Sequence, residues 1–391
     1  MKRLLILDDD PSILGLLARA LKRPGLEIIT CRELEAAEAV LESLRVDLMM
    51  TDLCLSPLGG LDGIRLLKHL AANFPGMHLV VVSGNAGEQV RDLCRRTGTP
   101  GVFAKPVDLE LLRRHVTERL GPEIPGPVSP PAGSMADVEE LDAFLASGSI
   151  RAVLQPIVPL GHGDAREPLG YESLARGPAG SLLANPELLF AYAARKDRLY
   201  ETDLLCIRAA LEEARWLPPG TRFFLNVQPR SLAHPGFAET LSGTVRAAGH
   251  ALDSIILELT EQQTILNQAA FAATLADLRE RGFRVALDDY GVGYSNLQLL
   301  EQLQPDYLKI SGHFCRELPL FRSKQLIVAS TARLAAGMGI PTIIEQVETE
   351  EERDLARKLG VNFAQGYFYA RPAPGLEFRH AGALQAAASP K

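Results

Sequence analysis

Two adjacent aspartates, Asp288 and Asp289, end an apolar run in the segment RVALDDYGVGYSNL, which covers residues 284–297. Adjacent carboxylates repel each other, and burying either of them is costly unless a cation compensates. Gly291 and Gly293 follow the pair and give the chain freedom to turn sharply after it. The pattern therefore indicates a site in which the two aspartates share a cationic partner.

Oxygen-donor side chains recur at or near the ends of other apolar runs in the C-terminal part of the chain. Together with the aspartate pair they form the set Glu172, Asn226, Glu258, Asp288, Asp289 and Glu345. Any one of these acids alone is compatible with a solvated surface residue, but a crowd of carboxylates without cations is strongly unfavourable. Oxygen ligands suit Mg²⁺ or Mn²⁺, and the adjacent aspartates could serve two such ions in an in-line phosphoryl displacement. Lys309, near the end of another run, could neutralise charge or orient a water.

The runs that carry these residues have the length and composition of buried strands. They cover residues 151–157, 168–173, 222–227, 254–259, 284–289, 306–310, 342–348 and 362–367. Helical spacing separates most of them, as in residues 271–282 and 323–339. Gln155 and Gln365 also lie at or near the ends of runs. This alternation predicts a (β/α)8 barrel of the TIM type, in which catalytic residues come from the ends of several strands.

A second alternating pattern occupies the N-terminal part of the chain. Short apolar runs predict strands at residues 3–7, 26–30, 46–51, 78–83 and 101–104, and helical spacing covers residues 63–74 and 109–120. This is the pattern of a doubly wound, flavodoxin-like α/β domain, in which sites form at the carboxyl ends of the strands. The polar residues at those ends are Asp8, Asp9, Asp52, Ser83 and Lys105. Three carboxylates, a hydroxyl and a lysine that converge there can hold Mg²⁺ and a phosphoryl group.

Length and composition divide the chain and limit its partners. A chain of 391 residues is longer than one hydrophobic core usually organises, which predicts more than one domain. A Pro- and Gly-rich stretch predicts a linker at 122–134 between domains at 1–121 and 135–391. The net charge of −7 argues against DNA or an anionic membrane as partner, and no apolar run approaches the length of a membrane span. Five scattered cysteines without a C-x-x-C pair fit reduced thiols and a cytoplasmic location.

The N-terminal domain, over roughly residues 1–120, resembles a response-regulator receiver domain. The resemblance rests on LDDD after the first strand, Asp52 after the third, Ser83 after the fourth and FAKP after the fifth. It implies that Asp52 is phosphorylated by a sensor histidine kinase and that Asp8 and Asp9 bind Mg²⁺. Ser83 and Lys105 would contact the phosphoryl group. The loop after Asp52, DLCLSPLGGLDG, is longer than the usual pattern.

The C-terminal domain, over roughly residues 137–380, resembles an EAL domain, the family of cyclic di-GMP phosphodiesterases. The motifs that carry the resemblance are LQPIV, GYESLAR, LNVQPRSL, ELTE, ALDDYGVGYSNL, PDYLKI, IEQVET and QGYFYARP. The resemblance implies a barrel with one antiparallel strand and hydrolysis of cyclic di-GMP to linear pGpG with two cations. We therefore expect a phosphorylation-controlled hydrolase, which is expected to form a homo-oligomer.

The resemblance also assigns roles to individual residues. The first metal ion would be bound by Glu172, Asn226, Glu258 and Asp288, and the second, or its water, by Asp289 and Glu345. Lys309 would help to activate the water, Gln365 would support the site and Glu261 would anchor the loop after Asp289. Arg176 and Gln155 would hold the phosphate and guanine of the substrate.

Several positions depart from the usual family pattern. They are Ser173, Gly177, Val292, Ser311 and Gln346. Ser311 stands where the family usually has an aspartate, and loss of that carboxylate could mis-set Lys309 and lower activity. Ser311→Asp would then raise turnover. The departures leave open a catalytically weak or inactive receptor that binds cyclic di-GMP and signals by contact, and, less well supported, an interaction module without a nucleotide.

Overall fold

The computed structural model describes residues 1–52, 69–70, 72–74, 76–83, 101–121, 135–138, 140–161, 167–178, 181–260, 268–291 and 297–379. Two compact units are present. The N-terminal unit comprises Met1–Ser149 and Gly177–Arg198, and the barrel unit comprises Ile150–Arg176 and Leu199–Lys391. Among the described helices, none has the length and apolarity needed to cross a membrane. The predicted linker at 122–134, the loop after Asp52 and most of the predicted helix at 63–74 lie outside the described residues.

The N-terminal unit is built on a parallel sheet whose buried strands follow the predicted apolar runs. The strands are β1 (Lys2–Leu7), β2 (Leu26–Cys31), β3 (Leu48–Thr51), β4 (His78–Ser83), β5 (Gly101–Ala104) and β6 (Met135–Asp137). Their order is β5-β4-β3-β1-β2-β6, and every pair is parallel. The first five strands confirm the flavodoxin-like order, in which β1 and β3 are neighbours at the topological switch point.

The sixth strand of this sheet was not predicted. β6 lies beyond the Pro-rich stretch and pairs with β2, with Ile28 opposite Met135 and Thr30 opposite Asp137. The helices of this unit are α1 (Pro11–Leu21), α2 (Leu34–Ser43), α3 (Leu109–Leu120), α4 (Leu141–Ser147) and α5 (Pro186–Arg195), with a 3-10 turn at Leu182–Ala184. The compact units therefore divide the chain differently from the predicted limits, which remain a prediction.

Charged and polar contacts fix α5 against α2 inside the N-terminal unit. The hydroxyl of the buried Tyr192 donates a hydrogen bond to Glu33, which directly precedes α2, at 2.5 Å. Lys196 reaches the same carboxylate at 3.1 Å, and Arg195 forms ion pairs with Glu38 and Glu42 of α2. These contacts explain why residues 177–198 group with the N-terminal sheet.

The barrel unit closes eight strands into a ring, as predicted. The strands are β7 (Arg151–Pro159), β8 (Gly170–Arg176), β9 (Arg222–Asn226), β10 (Ile255–Thr260), β11 (Arg284–Tyr290), β12 (Tyr307–Ile310), β13 (Thr342–Ile344) and β14 (Phe363–Ala364). β7 runs antiparallel to both of its neighbours, β8 and β14, whereas the other pairs are parallel. The expected barrel with one antiparallel strand is confirmed.

Helices follow most of these strands and cover the ring. They are α6 (Leu199–Ala214), α7 (Pro229–Leu232), α8 (Phe237–Ala247), α9 (Gln268–Glu280), α10 (Leu297–Leu303), α11 (Gly312–Cys315), α12 (Arg322–Gly337) and α13 (Glu350–Lys358), with 3-10 turns at Leu252–Ser254 and Gly375–Phe378. A capping box starts α13, because Thr349 and Glu352 each bond the other's backbone N–H. α9 and α12 match the helices predicted at 271–282 and 323–339 to within three residues.

A cluster of apolar side chains fills the lower part of the barrel interior. Its buried members are Ile157, Phe224, Ile256, Ala286, Tyr307 and Ile343. Successive side chains of a strand point to opposite faces, so the residue two positions later points inward again. On five of the strands that later residue is polar: Asn226, Glu258, Asp288, Lys309 and Glu345. The polar residues therefore form the next layer of inward-pointing side chains, towards the carboxyl ends of the strands. We call the buried cluster beneath them the apolar floor.

Candidate functional site

One cluster of charged residues lies at the carboxyl edge of the N-terminal sheet. Lys105 Nζ lies 2.6 Å from Asp8 Oδ2 and 2.6 Å from Asp52 Oδ2, so one ammonium bridges two carboxylates from β1 and β3. Both aspartates are buried. Burial raises the pKa of Asp8, although the hydrogen bond from Lys105 works in the opposite direction. Burial alone would lower the pKa of Lys105, but its hydrogen bonds to the two carboxylates raise it.

The remaining predicted residues of this edge lie beside that bridge. Ser83 ends β4, is fully buried, and pairs with Ala104, and its carbonyl accepts the backbone N–H of Lys105 at 3.0 Å. Asp9 directly follows Asp8 and is exposed. The structure thus brings Asp8, Asp52 and Lys105 into contact and places Ser83 and Asp9 at the same edge.

The centre of the barrel site is the fully buried Lys309 of β12. Its ammonium contacts four carboxylates at 2.7–3.3 Å: Glu172, Glu258, Asp288 and Glu345. Four carboxylates therefore face one ammonium in a largely buried layer. Burial alone would lower the pKa of Lys309, but the four carboxylates outweigh it and hold the pKa well above its ordinary value.

The carboxylates respond unequally to this crowding. Burial raises the pKa of Glu258 well above its ordinary value, and the neighbouring Glu172 raises it further. Burial likewise raises the pKa of Asp288 and Glu345. For Glu172 burial is opposed by Lys309 and by hydrogen bonds from Gln365 and Asn226, and the net effect lowers its pKa. Glu172 is thus the acid that this environment holds most firmly in its ionised form.

Two side-chain amides hold the carboxylates in place. Asn226, at the end of β9, donates to Glu172 Oε1 and to Glu258 Oε2, both at 3.1 Å. Gln365, directly after β14, donates to Glu172 Oε2 at 2.6 Å and to Gln155 Oε1 at 3.0 Å. Both oxygens of Glu172 are therefore fixed by amide donors, which also places Asn226 and Gln155 in the site.

A β-bulge explains how two adjacent aspartates can both belong to the site. Leu287 pairs with Leu308 but Tyr290 pairs with Ile310, so β11 contains one residue more than β12 over this stretch. Asp288 points inward to Lys309 at 3.0 Å, while Asp289 adopts a left-handed conformation with φ of 53°. The Asp289 side chain accepts a hydrogen bond from Ser311 Oγ at 3.0 Å. Without the bulge, the second aspartate would point away from the barrel interior.

Ser311 directly follows β12, and its side chain contacts Asp289. The structure places its hydroxyl against Asp289, whereas the Lys309 ammonium is held by the four carboxylates. Four carboxylates thus hold Lys309 although position 311 has none, and the expected gain of turnover in Ser311→Asp stays a prediction.

Two predicted substrate residues differ in their placement. Gln155 is the fifth of the nine residues of β7, so it lies in the middle of the strand and not at or near its end as expected. It still reaches the site because the antiparallel β7 places it opposite Glu172. Arg176 ends β8, which runs three residues beyond its predicted end, and donates to the carbonyl of Ala175 at 2.8 Å. Glu261 and Val292 lie outside the described residues.

The chemistry of this cluster fits a hard divalent cation. Glu172, Glu258 and Asp288 each offer an oxygen, and these oxygens lie within 4.8 Å of one another. The Asn226 amide borders two of these acids. One lysine balances only part of the surrounding negative charge, and carboxylate and amide oxygens are the ligands that Mg²⁺ and Mn²⁺ prefer.

Asp203 of α6 is a buried carboxylate near the site that sequence reasoning missed. Its Oδ2 accepts the backbone N–H of Gln228 at 3.0 Å, two residues after Asn226. Burial raises the pKa of Asp203 from 3.8 to about 7. A signal was available, because Asp203 shares a helix face with the buried Ile207, Ala210 and Leu211. An acid on an apolar helix face indicates a polar partner.

Comparison with known proteins places this geometry in a family. The family model of the EAL domain matches residues 138–372, more than half of the chain. The chain belongs to the EAL domain family. The model of the response regulator receiver domain matches residues 4–117, so in this protein an EAL domain follows a receiver domain.

One relative matches almost the whole chain, and two solved structures match more than half of it. The cyclic di-GMP phosphodiesterase RocR of Pseudomonas aeruginosa is 29% identical over 96% of this chain and 97% of its own length. The manganese/cy-diGMP complex of Klebsiella pneumoniae BlrP1 at pH 6 is similar with a TM-score of 0.53 and 33% identity, covering 58% of this chain and 56% of BlrP1. The c-di-GMP complex of the PaMucR phosphodiesterase gives a TM-score of 0.55 and 25% identity, covering 61% of this EAL protein and 97% of PaMucR.

Proposed function

We propose that the chain is a phosphodiesterase that hydrolyses cyclic di-GMP to linear pGpG with two divalent cations, Mg²⁺ or Mn²⁺. The observation that carries this proposal is the layer of four carboxylates around the buried Lys309. Phosphodiesterase relatives, and the manganese and cyclic di-GMP in the BlrP1 complex, support the substrate and the use of a metal.

The residues of the barrel divide into three groups. The first cation would be held by Glu172, Asn226, Glu258 and Asp288. Asp289 and Glu345 would hold the second cation or orient the attacking water. Gln155 and Arg176 would contact the substrate, Gln365 would fix Glu172, and Glu261 would anchor the loop after Asp289.

The reaction consumes one water and breaks one phosphorus–oxygen bond. The water oxygen bonds to phosphorus, and the ribose oxygen leaves in line and takes up one proton to become a hydroxyl. The product is a linear dinucleotide. When bound, divalent cations polarise the phosphoryl oxygens and lower the pKa of the attacking water. Lys309, held charged by its carboxylates, donates towards the water or a phosphate oxygen. Glu345, whose carboxylate lies 2.8 Å from that ammonium, would accept a proton from the water.

The receiver domain would control this activity. Asp52 would take a phosphoryl group from a sensor histidine kinase, with Mg²⁺ held by Asp8 and Asp9 and the phosphoryl group contacted by Lys105 and Ser83. The 2.6 Å contacts of Lys105 to Asp8 and Asp52 support this assignment, since a phosphate on Asp52 would meet an ammonium already in place.

One assay separates this function from its alternatives. The purified chain is incubated with cyclic di-GMP and Mn²⁺ or Mg²⁺, products are identified by mass spectrometry, and nucleotide binding is measured in parallel by calorimetry. We expect turnover to pGpG. Binding without turnover would instead identify a receptor, and neither binding nor turnover would identify an interaction module.

A further inference from the structure

The bulge in β11 leaves one of the two aspartates outside the strand ladder. Asp289 has a φ of 53°, its side chain is exposed, and the register with β12 shifts around it. A left-handed backbone costs about 1 kcal/mol or more for a residue other than glycine. Such a conformation persists only when neighbouring contacts support it, and those contacts determine where the carboxylate points.

Ser311 supplies such a contact from the adjacent strand end. Its hydroxyl has one proton, which it donates to Asp289 Oδ1 at 3.0 Å. The same oxygen lies 3.5 Å from the backbone N–H of His313, where Ser311 is the N-cap residue of α11. The side chain is buried at 5% exposure, and its backbone N–H reaches the carbonyl of Tyr290 at 3.4 Å. The hydroxyl is thus fixed by its own backbone and directed at the bulged aspartate.

A residue at the end of the neighbouring strand β13 packs against the turn that contains Ser311. Gln346, after β13, also has a left-handed backbone with φ of 55°. Its side chain occupies the space beside Gly312, where an added Cβ would lie 2.3 Å from Gln346 Cδ. The absence of a side chain at Gly312 therefore leaves room for Gln346. The Gln346 side chain packs against the turn that presents Ser311 to Asp289.

The effect of Ser311 can be separated from that of Lys309. The Lys309 ammonium is surrounded by four carboxylates, and the hydroxyl of Ser311 donates to a fifth, that of Asp289. A substitution at 311 should therefore act on Asp289 first. Hydrogen-bond partners of a metal-binding carboxylate hold it in its binding orientation, and their removal typically costs about 10- to 100-fold in metal affinity.

We propose that Ser311 is a positioning residue that fixes Asp289, through its hydroxyl, for the more weakly bound of the two divalent cations. This inference rests on the proposed two-cation function. A serine does here what an added carboxylate cannot do without metal, since two facing acids would repel each other. The site consequently has a preorganised second position in the absence of metal.

Calorimetric titration of the full chain with Mn²⁺ alone, without nucleotide, tests this role. We expect three binding events in the wild type, one at the receiver, which Asp9→Asn removes, and two at the barrel. In Ser311→Ala the affinity of the weaker barrel event should fall about tenfold while the tighter barrel event is unchanged. Ser311→Thr keeps the hydroxyl and should restore the wild-type affinity, whereas Ser311→Val should behave as Ser311→Ala. Ser242→Ala is the matched control, because it removes a buried serine hydroxyl that bonds to Ala238 in α8, away from the site.

Thermal melting of Ser311→Asp gives a second, independent readout. Without metal its melting temperature should fall below that of the wild type, and the rise on adding Mn²⁺ should exceed the wild-type rise. A purely structural role would lower stability equally with and without Mn²⁺.

The outcomes separate this role from the proposed function. A wild type that binds fewer than two Mn²⁺ ions at the barrel, counted with Asp9→Asn, overturns both. The role of Ser311 alone is overturned if the wild type binds two ions at the barrel and hydrolyses cyclic di-GMP, and Ser311→Ala, Ser311→Thr and Ser311→Val are identical to it. If Ser311→Ala does not fold, the comparison of Ser311→Thr with Ser311→Val decides.

Discussion

At the scale of single residues, the site is a set of acids around one charged lysine, and the acids differ in the direction of their pKa shifts. Glu172 differs from its neighbours because two amides and Lys309 stabilise its charge, so its pKa is lowered although burial opposes this. Glu258 also contacts Lys309 and one of those amides, but burial and the neighbouring Glu172 outweigh them and raise its pKa. An ionised acid whose two oxygens are both held by hydrogen bonds is well suited to bind a cation. Glu172 is therefore the most informative position to change.

Glu172→Gln should abolish Mn²⁺ binding at the tighter position and reduce turnover at least 100-fold, because it removes the charge that the cation needs. Relief of carboxylate crowding should leave the metal-free melting temperature unchanged or slightly raised. Calorimetry and melting curves measure the two quantities. Glu280→Gln, at the exposed end of α9, is the matched control and should match the wild type in both. Wild-type turnover in Glu172→Gln would contradict the metal assignment.

Asp203 offers a pH-dependent prediction. The folded chain keeps its proton up to about pH 7, whereas an ordinary aspartate releases it near 3.8. Folding therefore becomes less favourable as pH rises between these values, and the penalty is complete above pH 7. At about 1.4 kcal/mol per pKa unit, the ionised group opposes folding by a few kcal/mol.

Asp203→Asn should therefore melt several degrees higher than the wild type at pH 8 and show little difference at pH 4. Its amide oxygen can still accept the Gln228 N–H, and its NH₂ can donate to the nearby buried Ser231 hydroxyl. Melting curves across this pH range decide the matter. Equal gains at both pH values would show that Asp203 does not titrate as described.

At the scale of elements, period-two alternation accounts for most of the site. Phe224, Ile256 and Tyr307 form part of the apolar floor, and the inward residues two positions later are Asn226, Glu258 and Lys309. Apolar runs with polar ends were therefore sufficient to predict eight barrel strands and the residues that converge.

Other features could not be predicted from the same pattern. The alternation of a strand is identical in either chain direction, so it gave no sign that β7 is antiparallel or that Gln155 enters from mid-strand. β6 has three residues, too few for a period to show. The bulge at Asp289 depends on register between two strands, which no local pattern encodes.

The junction of α2 and α5 provides a prediction at this scale. Tyr192→Phe removes the hydroxyl that donates to Glu33 and should destabilise the N-terminal unit by about 1 kcal/mol, since Glu33 keeps Lys196. Calorimetric melting of the full chain measures this. Tyr367→Phe, whose ring is exposed, is the control and should leave the transition unchanged. An unaltered transition in Tyr192→Phe would show that the hydroxyl adds nothing to the docking of α5.

At the scale of the whole molecule, the prediction concerns control by the receiver. Phosphorylation of Asp52 adds about two negative charges, which Lys105 and Ser83 must meet. Their movement would shift the adjoining face, where Phe103 packs edge-on against His115 of α3 with ring centroids 5.4 Å apart. Beryllofluoride with Mg²⁺ should therefore change turnover or oligomer size, and Asp52→Ala should not respond. Hydrolysis and light scattering that both stay constant while beryllofluoride is bound would exclude the receiver as the control element.

The most direct test of the central claim is a time course of pGpG formation by the purified chain, followed by mass spectrometry through removal and return of the metal. Product should form from cyclic di-GMP with Mn²⁺, stop on addition of a chelator and resume when Mn²⁺ is restored in excess. Asp288→Asn, which alters the acid 3.0 Å from Lys309, should not resume. Product that continues to form in the chelator, or at the wild-type rate in Asp288→Asn, would contradict a metal-dependent hydrolysis carried out by this layer of carboxylates.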